Sequence, residues 1–259
     1  MKSKLTIVKI GGKLIDDSSY FDAFMNEFSK LEGDKILIHG GGKIATEMNA
    51  KLGYETKMHE GRRITTSENL EVVVMVYAGL LNKRIVAALQ ARNCNALGLS
   101  GADGNVILAS ERPKEPIDFG CVGDLEKIDS ELINLFLDKG IVPVFSAISH
   151  NGKGQLLNTN ADTMASEIAI SLTKSYQQIE LIYCFEKKGV LLDLEEESSV
   201  IEQINVKEYE DLKSKKVIHE GMLPKLQNAF HAKGNGVSKV KIGSLWSMNN
   251  KEEVCTEIT

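Results

Sequence analysis

Twice in its first 45 residues the chain runs from a short apolar stretch straight into glycines. Leu5 to Ile10 ends at Gly11-Gly12. Lys35 to His39 ends at Gly40-Gly41-Gly42, which opens the helix-like segment Lys43 to Leu52. Two strands each followed by a helix cannot be a hairpin; the helix is the crossover that brings the next strand in parallel. The alternation continues through the strands Asn95 to Leu99, Ile141 to Phe145, Ile179 to Tyr183 and Val237 to Ile242. Between them lie the predicted helices Tyr20 to Leu31, Glu68 to Arg92, Ser130 to Lys139, Ala161 to Leu172, Glu208 to Lys215 and Met222 to Lys233. Phe21, Phe24, Met25 and Phe28 fall at helical spacing. The pattern predicts an α/β fold: an open, mostly parallel central sheet covered on both faces, a three-layer αβα sandwich.

Composition narrows the class. The 259 residues are 42% hydrophobic and 26% charged, which suits a globular chain with a substantial core. The net charge of −5, from 31 Lys and Arg against 36 Asp and Glu, leaves no sequence-wide footprint for nucleic acid. Four Cys without a CxxC make neither a disulfide framework nor a zinc site, so reduced thiols in a cytoplasmic protein are expected. Leu5-Thr6-Ile7-Val8 stops at Lys9, too short for a signal peptide or a membrane span, and no later window is read as a span. A change of role near residue 175 divides the chain into two lobes of one fold, 1–174 and 175–259, although no linker marks the division.

Glycines let a backbone approach an anion closely, and the N–H groups at a helix start point at it. Two such turns, one flanked by Lys9 and Lys13, favour a phosphate site over two tight turns of purely structural purpose. No G-x-x-x-x-G-K-[ST] occurs, so this is not a P-loop. Gly40 to Ala45 does match the dinucleotide pattern G-x-G-x-x-A, with Glu60 about 20 residues on, which keeps a nicotinamide-dependent oxidoreductase open as an alternative. Arg62-Arg63 sets two guanidinium groups beside a turn, suited to a carboxylate. Asn158-Thr159-Asn160-Ala161-Asp162 caps a helix start and puts Asp162 in the first turn, where it can face a cleft and orient lysines. Lys225, in the first turn after Pro224, opposes the helix dipole, a mild cost that favours a functional role. The five His show no metal-ligand spacing and no G-x-S-x-G is present, so neither a protein-held transition metal nor a serine hydrolase is expected. Cys94, Cys121, Cys184 and Cys255 read as small buried apolar residues.

In this order the motifs resemble the amino acid kinase family, and within it the branch that phosphorylates N-acylated glutamate. The matching pieces are Val8 to Gly12, His39 to Gly42, Gly61 to Thr65, Asn158 to Asp162 and Gly221 to Lys225, which together span most of the chain. The resemblance implies ATP-dependent phosphorylation of the side-chain carboxylate of N-acetyl-L-glutamate, or N-succinyl-L-glutamate, to the acyl 5-phosphate in arginine biosynthesis. It implies an N-terminal lobe for the acyl-glutamate and dimerisation, and a C-terminal lobe for ATP. A carboxylate is already a nucleophile, so positioning and charge stabilisation are what such a site must supply. By resemblance Lys9 and Lys225 are the cations on the transferring phosphoryl group, and Asp162 holds them. Gly11, Gly12, Gly41 and Gly42 offer N–H groups, Arg63 forks the substrate α-carboxylate and Asn158 bonds the acyl-amino acid. Mg²⁺ arrives on ATP, bound by phosphate oxygens and water.

The family's usual Ser/Thr-Asp-x-x-Gly turn reads here as Cys184-Phe185-Glu186-Lys187-Lys188-Gly189-Val190-Leu191, with Glu186 where the Asp would stand. Nucleotide contacts are expected from Glu186, Lys187, Lys188, Gly189, Val190 and Leu191, and from Val217, Ile218 and His219. Arg62 stands where an apolar residue is common; an extra cation there suits a longer, more acidic acyl group such as succinyl. Arginine-inhibited hexameric relatives carry an additional N-terminal helix, and the first strand here begins by Leu5. The expectation is therefore a homodimer without arginine feedback, joined through the helix 68–92. Glutamate 5-kinase-like or aspartokinase-like members, and a catalytically silent sensor on the same fold, remain as alternatives.

Overall fold

The strand Lys2–Ile10 lies inside an eight-stranded sheet and pairs in parallel with Asp34–His39 on one side and Tyr176–Cys184 on the other. From edge to edge the order is Gln203–Ile204, Thr256–Ile258, Lys239–Gly243, Tyr176–Cys184, Lys2–Ile10, Asp34–His39, Val142–Ser146 and Ala96–Leu99. All neighbours are parallel except Thr256–Ile258, which runs antiparallel to Lys239–Gly243. The computed structural model describes the chain apart from residues 194, 216, 219–221 and 250–252 and the side chain of residue 13.

The period of two along each strand builds both cores. Leu5 and Ile7, Ile36 and Ile38, and Ile179, Leu181 and Tyr183 face a layer formed by the helices Ser130–Asp138, Ala161–Ser171, Val206–Ser214 and Leu223–Gly234. Val8 and Ile10, Leu37, and Ile182 and Cys184 face the opposite layer, where Phe21, Phe24, Met25 and Phe28 of Ser18–Lys30 meet the helical segment Ser67–Gln90. The three-layer αβα expectation holds.

Boundaries and smaller elements depart from the sequence reading. The first strand starts at Lys2 rather than Leu5, and Ile179 to Tyr183 is the middle of a nine-residue strand. The polar outer residues stay in the sheet because they pair: Lys2 Nζ bonds Asp34 and Tyr176, and Glu180 bridges Lys4 and Lys241. A four-stranded sheet (Ile107–Glu111, Gly123–Ile128, Ile148–His150 and Leu156–Asn158) and a hairpin (Lys57–His59 with Arg62–Ile64) were not foreseen. Most of their strands are short and mixed in polarity, and the apolar run Val106 to Ala109 that marks one of them is not followed by a helix that would continue the alternation.

The expected long helix is present, but its middle, Met75–Leu81, winds as a π-helix between the α-helical ends Ser67–Val74 and Asn82–Gln90. Contrary to the sequence reading, this segment is long and apolar enough to cross a membrane by length and composition, with mean hydropathy 1.7. Its face of Val72, Val73, Val76, Leu81, Ile85 and Leu89 is buried against the sheet.

The chain leaves Lys2–Ile10 toward Asp34–His39 on one side and later returns to Tyr176–Cys184 on the other. Such a reversal opens a crevice at the carboxyl ends of the strands. Gly11-Gly12, Gly40-Gly41-Gly42 and Phe185-Glu186 all follow strands that end there.

Candidate active site

Lys9 shares its face of the sheet with Leu5 and Ile7, so its side chain rises toward the helix Ala161–Ser171. Asn160 caps that helix, its side chain accepting from the Thr163 N–H at 2.9 Å, and this sets Asp162 in the first turn. Lys9 Nζ lies 2.9 Å from Asp162 Oδ1, and Lys225 Nζ lies 3.1 Å from the same oxygen. Lys225 comes from the first turn of Leu223–Gly234, which packs on Ala161–Ser171. Its ammonium stands 5.4 Å from the ring centroid of Tyr183, whose hydroxyl donates to the Asp162 carbonyl at 3.2 Å.

Burial alone would raise the Asp162 pKa, but the charges and hydrogen bonds of Lys225 and Lys9 prevail and hold it well below the usual carboxylate range. Burial lowers the Lys225 pKa and repulsion from Lys9 adds to this, with Asp162 opposing. One carboxylate thus holds two ammonium groups side by side at the end of the glycine turns. An anion entering there meets two positive charges in a largely dehydrated setting.

A cleft of about 240 Å³ adjoins these groups. Its lining includes Lys9, Gly11, Gly12, the Gly40 to Gly42 loop, Arg62, Arg63, Tyr77, Arg112, Asn158 and Asp162. Gly12 has φ +59, a left-handed conformation that favours glycine. A Cβ on Gly41 would run into Leu81 and come within 3.0 Å of Tyr77, so a side chain here would close the approach to the helix. The Arg63 guanidinium is aimed by three acceptors: the Gly42 carbonyl at 2.9 Å, Thr46 Oγ1 at 2.7 Å and Thr56 Oγ1 at 3.2 Å. Asn158 Nδ2 donates to Thr65 Oγ1 at 3.0 Å. Arg62 lines this cleft and a neighbouring one of about 780 Å³, as does Arg112, which is paired with Asp124. Burial lowers the Arg62 pKa, and the charge of Arg112 lowers it further.

A profile of the amino acid kinase family matches residues 4–244. The chain belongs to this family. An acetylglutamate kinase of Bacteroides fragilis is 51% identical over 242 residues, 93% of this chain and 92% of that one. That of Cytophaga hutchinsonii is also 51% identical, over 92% of this chain and 90% of its own. Among solved structures, the smu.665 protein of Streptococcus mutans superposes with a TM-score of 0.83 at 26% identity, covering 98% of both chains.

In this amino acid kinase the segment expected to meet nucleotide divides. Glu186 is exposed and faces the glycine turn: a Cβ on Gly12 would lie 3.0 Å from Glu186 Oε2. Glu186, Lys187, Lys188 and Leu191 line a cleft of about 190 Å³ with Phe185 and the half-exposed Trp246. Lys187 pairs with Glu197 at 3.2 Å. Gly189 and Val190 are buried instead, and the Val190 N–H donates to Thr256 Oγ1 at 2.8 Å. Ile218 is buried in the core and Val217 packs against it, while His219 lies outside the described residues.

The dinucleotide alternative loses its geometry. Glu60 occupies the turn of the small antiparallel hairpin, at φ +47, rather than the end of a strand in the parallel sheet. Cys94 and Cys184 are buried as expected, but Cys121 and Cys255 are only half-buried; burial pushes all four thiols up. Sequence reasoning missed Tyr77, Arg112, Thr46 and Thr56. Tyr77 reads as one more apolar residue of a helix, and the threonines carry no local signal.

Proposed function

We propose that this amino acid kinase transfers the γ-phosphoryl group of ATP to the side-chain carboxylate of N-acetyl-L-glutamate, forming the acyl 5-phosphate in arginine biosynthesis. The convergence of Lys9 and Lys225 on Asp162 beside two glycine turns carries the reading. It suits a reaction whose acceptor, donor and transition state are all anionic. Relatives that share half their residues over nine-tenths of their length, and are acetylglutamate kinases, supply the acceptor.

In this reading Lys9 and Lys225 neutralise the transferring phosphoryl group, and Asp162 holds both without taking part in proton transfer. The N–H groups of Gly11, Gly12, Gly41 and Gly42 meet phosphate and acceptor oxygens. Arg63 forks the α-carboxylate and Asn158 meets the acyl-amino group. ATP lies toward Glu186 to Leu191, with Val217, Ile218 and His219 as the second expected stretch. Asp162 is already engaged by two lysines. Mg²⁺ therefore fits here as a companion of ATP, on phosphate oxygens and water. Residues 1–174 form the acceptor lobe and 175–259 the nucleotide lobe, joined through one continuous sheet. The outward side of the helical segment Ser67–Gln90, within the span 68–92 expected to join two copies, exposes Met75 and Leu80 and suits a homodimer, and a cytoplasmic location suits a biosynthetic enzyme.

A hydroxylamine-trapped assay tests this directly, because hydroxylamine captures an acyl phosphate as a hydroxamate. With MgATP, a hydroxamate from N-acetyl-glutamate but not from free glutamate is expected; silence from folded protein that binds ATP overturns the reading and favours a sensor. Arg62 and Arg112 at the shared wall of two clefts favour a second acceptor, N-succinyl-glutamate. Arg62→Leu should then lower activity on the succinyl substrate alone; equal activity on both acyl substrates in variant and parent removes that option.

A further inference from the structure

His39 ends the strand Asp34–His39 and is wholly buried directly before the Gly40 to Gly42 loop. Its Nδ1 lies 2.8 Å from the Gly40 carbonyl, and its Nε2 lies 3.1 Å from Asn82 Nδ2. A carbonyl only accepts, so Nδ1 carries the proton and the neutral ring accepts at Nε2. Asn82 is oriented just as firmly: its Nδ2 also donates to the Val144 carbonyl at 2.9 Å, and its Oδ1 accepts from Lys83 Nζ at 3.1 Å. A chain of donors thus runs from Lys83 through Asn82 and His39 to the glycine loop.

We infer that His39 and Asn82 are positioning residues for phosphoryl transfer, holding the Gly40 carbonyl inward so that the Gly41 N–H is turned to the cleft. In a trans peptide the carbonyl of one residue and the N–H of the next point in opposite directions. Fixing the Gly40 carbonyl against a buried ring therefore fixes the Gly41 N–H on the opposite side. Gly41 lines the cleft, and among the described residues its N–H has no protein acceptor. Glycine is the residue least able to hold a peptide plane by itself, so the support must come from a neighbour.

Two further features serve the same contact. The π-helical segment Met75–Leu81 ends immediately before Asn82; the wider turn sets where this side chain meets the sheet. Gly98, on the edge strand Ala96–Leu99, leaves room for it, since a Cβ there would collide with Asn82 Oδ1. Burial lowers the His39 pKa to about 4, aided by Lys83, which keeps the ring neutral.

The inference rests on the proposed kinase reading and is tested with the intact chain. His39→Asn places an amide nitrogen near the position of Nδ1, whereas His39→Gln and His39→Leu do not. Expected are kcat losses of about 10–100-fold for the Gln and Leu variants, an unchanged KM for ATP, and recovery of most of the loss in the Asn variant. Equal losses in all three variants, a loss confined to KM, or no loss at all overturns it. Where a variant fails to fold, the nitrogen shifts of the His39 ring in the unaltered protein decide. A neutral Nδ1–H tautomer from about pH 5 to 8 upholds the inference, and an Nε2–H tautomer or titration near the ordinary value overturns it. An unaltered protein that makes no hydroxamate defeats the kinase reading instead, and the ring shifts still report the His39 contact.

Discussion

Lys9 and Lys225 converge on a single oxygen, with Nζ atoms 2.9 and 3.1 Å from Asp162 Oδ1. One comes from a strand at the start of the chain and the other from a helix near its end. Neither ammonium is stable so close to the other without the carboxylate between them. Asp162→Asn keeps the shape and removes the charge. Expected are a fall in kcat of at least about 100-fold and a loss of roughly 3–5 kcal/mol of stability from the uncompensated cations, read by urea unfolding.

The acid limb of stability should change in the same variant. The folded-state pKa of Asp162 is depressed, so its contribution is present above the unfolded value and is lost as pH falls through the folded one. Below about pH 4 the parent should therefore lose stability more steeply than Asp162→Asn. Parallel pH profiles from unfolding curves would show that Asp162 supplies none of that slope.

Lys9→Ala and Lys225→Ala should each lower kcat by about 100-fold or more while changing either KM by less than about tenfold. Both cations are expected to meet charge that is greatest in the transition state. Steady-state kinetics with the hydroxamate assay separates the two parameters, and an effect confined to KM in either variant would reassign that lysine to ground-state binding.

Arg63→Lys keeps the charge but loses the planar fork that Gly42, Thr46 and Thr56 aim into the cleft. The KM for N-acetyl-glutamate should rise about 10–100-fold with the KM for ATP unchanged. A rise in the ATP constant instead would place the guanidinium on the nucleotide.

Lys35 offers a control away from the site. Its buried ammonium donates to the carbonyls of Phe28, Ser29 and Leu31, at the end of the helix Ser18–Lys30. Lys35→Leu removes the ammonium from those carbonyls, of which Phe28 keeps the Leu31 N–H, and should cost about 1–3 kcal/mol in urea unfolding, with kcat and both KM values unchanged.

The glycine turns after two strands, Lys9 before the first of them, Arg63 beside its turn, and Asp162 and Lys225 each in the first turn of a helix were all legible in the sequence. Local chemistry dictates each: periodicity sets the strand faces, an Asn caps the helix, and Pro starts another. The alternation of strands and helices likewise determined a parallel sheet covered on both sides. Only the tertiary structure decided that Lys9 and Lys225 share one oxygen of Asp162, because that contact depends on how two helices pack over a strand. It also decided that Tyr77 faces the glycine loop and that Asn82 meets His39 behind it. A π-helical turn shifts the faces of a helix that periodicity reads as regular, and the buried partners of His39 lie far from it along the chain.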